Sequence, residues 1–113
     1  MIFVFIEDGT LDVIDALADA LREYEGIDVE SGVFEFYDEN GIYLKPVFSV
    51  PNKYESHLFG LIKSVESGVY GLIPAPNECE KSFEIMLGDV QILNENKYFS
   101  SLGEIRARYN VTT

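Results

Sequence analysis

The chain reads as a single α+β domain: a largely antiparallel sheet of about five strands with an N-terminal crossover helix and C-terminal helices packed on it. Three observations predict this. Ile2–Ile6 is an apolar run of strand length followed by a stretch of helical spacing, Asn40-Gly41 separates two β-rich segments, and helical spacing returns towards the C-terminus. With 113 residues, 47% of them hydrophobic, the chain fits one domain and buries roughly two-thirds of its unfolded surface without disulfides or metal.

Ile2–Ile6 has no basic residue before it and meets Glu7-Asp8 at once, so it reads as a buried central strand rather than a signal peptide or membrane span. Asp8-Gly9 breaks it. Thr10 is then an N-cap candidate with Asp12 in the first turn, and Leu11 to Glu25 is predicted as a helix closed by Gly26. On that helix Ile14, Leu17, Ala18 and Leu21 form the inward stripe, while Asp12, Asp15, Asp19 and Glu23 run down the other side.

Val33–Asp38 and Ile42–Val50 are predicted as a β-hairpin, with Asn40-Gly41 as its type I′ turn. Pro46 cannot donate to a ladder, which places part of the second strand at an edge. His57–Val65 and Val69–Ile73 are expected to form a second hairpin around Glu66-Ser67-Gly68. Leu58, Leu61, Ile62 and Val65 also match a helix, but Gly60 and Gly71 penalise that reading. A short helix over Asn77–Leu87 buries Phe83, Met86 and Leu87, and Ser101 caps a last helix through Tyr109, with Arg106 and Arg108 near its C-terminus.

The charge is segregated. Of 20 acids, twelve lie in residues 1–40, where Arg22 is the only base, so this segment carries −11 of the total −12. A block of one sign repels nucleic acid and anionic membrane and attracts a basic partner. Like charges at i,i+4 along the Asp12, Asp15, Asp19, Glu23 stripe oppose the helix by a few tenths of a kcal/mol per pair. The stripe reads either as an ordinary solvated face or as a binding surface, extended by Glu25, Asp28 and Glu30. Tyrosine supplies large contact area at low entropic cost, so Tyr24, Tyr37, Tyr43 and Tyr54, each beside an acid or the hairpin turn, are candidate anchors within the negative rim.

Nothing in the sequence calls for an enzyme or a cofactor. His57 is the single histidine, and it precedes an apolar run with no nucleophile paired to it. Cys79, the single cysteine, lies between Glu78 and Glu80, which disfavour a thiolate; a lone cysteine also suits a reducing, cytoplasmic compartment. Counted from Asp38, Gly41 is fourth and Ser49 twelfth, so the segment fails the glycine and glutamate positions of a calcium loop. No His/Cys cluster suggests zinc, and no glycine spacing suggests a phosphate cradle.

Glu25-Gly-Ile-Asp-Val-Glu-Ser-Gly32, Phe36-Tyr-Asp-Glu-Asn-Gly41 with Leu44-Lys-Pro46, and Val65-Glu-Ser-Gly-Val-Tyr70 resemble small acidic bacterial toxin-immunity proteins of the contact-dependent growth inhibition type. The resemblance implies a cytoplasmic protein that binds the C-terminal toxin domain of a sibling cell's effector and neutralises it, commonly by covering a nuclease active site. It carries over no contact residue. The combined expectation is an immunity protein, not an enzyme, that meets a basic toxin domain such as an RNase through its acidic surface, without direct nucleic-acid or membrane contact, as a monomer or weak dimer. The alternative is a regulatory or scaffold module for a basic protein; a small carboxylate-using enzyme ranks third.

Overall fold

The computed structural model describes residues 1–57 and 62–111. Strand β1 (Ile2–Ile6) forms as the apolar run predicts, but Asp8-Gly9 does not lead into a helix. It turns the chain into β2 (Thr10–Ile14), antiparallel to β1 from Phe5↔Leu11 to Ile2↔Ile14. Gly9 has a φ of +91°, and its N–H donates to Ile6 O at 3.0 Å, the geometry of a turn closed by a left-handed glycine. Alternation then selects a strand: Leu11 and Val13 are buried, while Thr10, Asp12 and Ile14 on the other face are half-buried.

The expected helix Leu11–Glu25 is therefore corrected to β2 followed by two short helices, α1 (Leu17–Glu23) and α2 (Gly26–Glu30), separated by extended backbone at Tyr24 and Glu25. The Asp19 carboxylate accepts the Ala16 N–H at 3.2 Å and helps start α1. The later start changes the buried face. Ala20 and the following Tyr24 face the sheet, and Leu17 and Leu21, expected inside, stand 41% and 40% exposed.

β3 (Phe34–Asp38) and β4 (Tyr43–Val50) form the expected hairpin through Phe36↔Leu44 and Tyr37↔Tyr43. Its turn is not type I′, because only Gly41 is left-handed, at φ +78°. Asp38 O accepts the Gly41 N–H at 3.0 Å, and the Asp38 carboxylate accepts the Asn40 and Ile42 N–H groups, both at 2.9 Å. The hydrogen bond from Asp38 N–H to Ile42 O makes the even-numbered residues of β4 face β3, so Pro46 lacks its donor on the β3 side. The β3–β4 ladder ends at Leu44, two residues before that proline.

The second expected hairpin is corrected in its partners. β5 (Lys53–His57) pairs with β6 (Ile62–Glu66), and β7 (Val69–Pro74) pairs with β4. Residues 58–61, including Leu58, Gly60 and Leu61 of the alternative helical reading, lie outside the described residues. One register runs from Val50↔Val69 to Lys53↔Glu66, so β4–β5 and β6–β7 are the two arms of one long ribbon, interrupted at Pro51-Asn52 and Ser67-Gly68. Asn52 ties the interruption to the body: its amide donates to Gly26 O at 3.1 Å and its carbonyl accepts the Gly68 N–H at 2.7 Å.

The C-terminal part holds α3 (Phe83–Asp89), β8 (Ile92–Leu93) and α4 (Leu102–Arg108). Ser82 and Ser101 cap the two helices, at 3.3 Å to Ile85 N and 3.1 Å to Glu104 N. The first of these helices begins at Phe83 rather than Asn77. Arg106 does more than complement its own helix, since its guanidinium donates to Leu87 O and Val90 O, both at 3.0 Å, and so locks α4 onto the end of α3.

Among the described residues the main sheet has six strands in the order β7-β4-β3-β1-β2-β8, all neighbours antiparallel except β2 and β8. Helices cover both faces. Ile2, Val4, Phe36, Leu44, Tyr70 and Leu72 pack under α1 and α2, while Phe3, Phe5, Leu11, Val13 and Tyr37 pack under α3 and α4. No described helix is long and apolar enough to cross a membrane.

Candidate functional site

Asp15 follows β2, and the loop before α4 is folded back over it. Asn96 builds that loop by accepting the Tyr98 and Phe99 N–H groups at 2.9 and 2.8 Å, which drives Phe99 into the core and leaves Lys97 and Tyr98 outside. Lys97 Nζ lies 2.8 Å from the Asp15 carboxylate, and the Tyr98 hydroxyl donates to the same group. With Val13, Ile14, Asp19 and Glu23 these residues line an open depression of about 330 Å³.

The electrostatics of the depression are partly compensated. Hydrogen bonding from Lys97, then from Tyr98, holds the Asp15 carboxyl below its ordinary pKa, and Asp15 in turn raises Lys97 and Tyr98. Asp19 pairs with Arg22 at 2.5 Å. Three of the four stripe carboxylates, Asp15, Asp19 and Glu23, thus meet around one depression, though not along one helix as expected. Asp12 does not join them: its carboxylate accepts the Tyr24 hydroxyl at 2.6 Å and the Asn94 amide, an internal tie between β2, α1 and the 94–98 loop. Burial, with Asp12 next, pushes the Tyr24 phenol well up.

Glu25, Asp28 and Glu30 are exposed along α2 and its start, as a binding surface requires. Two of the four tyrosine anchors, Tyr24 and Tyr37, are corrected by their burial. Tyr24 and Tyr37 are 7% and 2% exposed, Tyr37 donating to Lys81 O at 2.6 Å, and Tyr43 is half-buried against Tyr37. Tyr54 is exposed, its hydroxyl 3.5 Å from Glu30. The apolar groups that do stand in the acidic surface are Leu17 and Leu21, one turn apart on α1, with Tyr98 beside Asp15. Comparison with known protein families, characterised proteins and solved structures finds no match.

A second depression, of about 350 Å³, lies on the α3 side of the sheet and is lined by Glu7, Glu35, Glu80, Lys81 and Met86 among others. Burial, reinforced by Glu80, raises the Glu35 carboxyl above its ordinary pKa, with the Tyr43 hydroxyl pulling the other way. Folding thus favours the protonated form of Glu35. Its contribution is complete below the unfolded glutamate pKa and is lost as pH rises through the higher folded value. Glu35→Gln should therefore raise the urea midpoint at pH 7, and the gain should vanish below about pH 3, where both states hold the proton. A variant less stable than wild type at pH 7 would reject this assignment. Among the described residues no group of three His, Cys, Asp or Glu side chains is arranged to hold a metal, and the Cys79 thiol is half-buried, 3.6 Å from Pro76 O.

Proposed function

We propose that the protein is an inhibitor of the immunity type, which binds a basic toxin domain, a nuclease, through its acidic half and neutralises it in the cytoplasm. The observation that carries this reading is the charge: residues 1–40, with −11 of the total −12, fold together as β1, β2, β3 and the helical layer α1–α2. A nuclease exposes a basic groove for phosphates, and carboxylates on a rigid scaffold occupy it while lifting association towards roughly 10⁸–10⁹ M⁻¹s⁻¹ at low salt. Steering alone gives little residence time. Leu17, Leu21 and Tyr98 supply the desolvated anchors that slow dissociation.

The test is neutralisation of a basic nuclease domain encoded next to this gene. Wild-type protein should abolish its RNA cleavage, and Asp15→Asn, Asp19→Asn and Glu23→Gln together should slow association about tenfold at low salt and far less at high salt. Leu17→Ala with Leu21→Ala should instead speed dissociation. Binding without loss of nuclease activity would favour a regulatory or scaffold module for a basic protein, and an unchanged salt dependence in the triple variant would remove the depression from the interface.

A further inference from the structure

β7 is the terminal strand of the main sheet, and its outer edge meets no other strand among the described residues. Its sequence, Val69-Tyr-Gly-Leu-Ile-Pro74, contains no charge, whereas exposed edges are usually guarded by one. The hydrogen bond from Ala75 N–H to Tyr43 O makes Lys45/Ile73 and Val47/Gly71 the bonded pairs of the β4–β7 ladder. Tyr70 and Leu72 therefore aim their N–H and C=O groups outward.

The face of the ribbon turned towards the α3 side is also bare. Val47, Val50, Val69 and Ile73 are 44–57% exposed there, and a Cβ at Gly71 would meet nothing within 4 Å. Charge marks the same place. The ribbon segment 43–74 has three lysines against two glutamates, a net of +1, while the rest of the chain carries −13. A second copy approaching along the ribbon meets less negative charge than one approaching residues 1–42, at −11, or residues 75–113, at −2.

The geometry points to a symmetric homodimer joined by antiparallel pairing of two β7 edges across a twofold axis at Gly71. In that register Tyr70 exchanges both backbone hydrogen bonds with Leu72 of the second copy, and the reverse. The two Gly71 residues meet at the close, non-bonded position where side chains would crowd. Val69 faces Ile73 of the second copy on either side of the glycines. Pro74, which has no N–H, falls opposite Gly68, whose N–H is already given to Asn52, so the ladder ends by itself. On both sides of Gly71 the strand is uncharged and apolar, Tyr70 and Val69 in one direction and Leu72 and Ile73 in the other, so a second antiparallel copy offers it an apolar partner at every paired position. Asp15, Lys97 and Tyr98 lie by β2, towards the other end of the sheet, and stay free in the dimer.

The inference stands apart from the inhibitor reading and is tested without a toxin. Sedimentation of the 12.8 kDa chain at roughly 100 μM should give twice the chain mass. Val69→Lys with Ile73→Lys places lysines opposite each other and should weaken dimerisation at least about tenfold, although it lowers the net negative charge. Val69→Lys with Ile73→Glu turns each clash into an ion pair and should restore the dimer, with circular dichroism establishing that both variants are folded. A wild-type chain that stays monomeric, as it would if this edge served only a different protein, overturns the proposal. So does a dimer indifferent to the double-lysine change, or a folded Lys/Glu variant that fails to recover it.

Discussion

Phe3→Ala should cost about 4 kcal/mol, lowering the melting temperature by roughly 15–30 °C for a domain of this size. Phe3 is fully buried on β1, with its ring centroid 5.1 Å from Phe83, 5.6 Å from Tyr109 and 6.1 Å from Phe99. These partners come from α3, from the end of α4 and from the loop between them. Truncation removes the transfer free energy of a phenyl ring and leaves a cavity that a central strand cannot collapse into, because β1 is paired on both sides. Urea unfolding measures the loss. A cost under about 1.5 kcal/mol would mean that Phe83 and Tyr109 refill the site, and that the C-terminal helices sit on the sheet less firmly than their packing indicates.

The parts of this fold that were legible in the sequence are those where local chemistry and tertiary context agree. Ile2–Ile6 is apolar at every position because it is buried on both faces, and Ser101 caps the last helix as its sequence position predicts, accepting the Glu104 N–H. Leu11–Glu25 misled because its first residues satisfy both periods. Leu11, Val13 and the Asp8-Gly9 turn fit a strand, and Ile14, Leu17 and Leu21 fit a helix. Pairing with β1 settles the contest, and Asp8-Gly9 between apolar runs was the signal for it. That error carried into the site: with the helix starting at Leu17, the leucines expected inside came out into the acidic surface. Lys97, Tyr98 and Asn94 lie about 80 residues from the aspartates they bind, and no local pattern announces such a pairing. Tyr24 and Tyr37 stand next to acids in sequence, yet strand and helix alternation turns them inward, so sequence adjacency to charge was a poor guide to exposure.

Gly68→Ala should destabilise the protein by about 3 kcal/mol, for a reason unlike that at Phe3. A Cβ at residue 68 would stand 2.0 Å from Val50 O and 2.6 Å from Pro51 C, both backbone atoms that cannot rotate away. Gly68 therefore serves as a close-approach position, not as the turn residue the sequence suggested. The two arms of the ribbon touch there, and Asn52 binds them to α2 through Gly26 O and the Gly68 N–H. Relief of the clash requires the arms to part, which would break the Asn52 bridge and disturb the β4–β7 ladder from Val50↔Val69 inward. Circular dichroism and urea melts should register this as a lower midpoint, with amide exchange accelerated first at Val47 and Gly71, the bonded pair of the ladder nearest the junction. Gly71→Ala on the same strand has open space around its Cβ and should leave the monomer's midpoint within about 1 kcal/mol of wild type. Equal losses at the two glycines would show that strand propensity, rather than contact between the arms, governs the ribbon; a loss confined to Gly68 would place its weak point at the Asn52 junction, from which β5 and β6 extend.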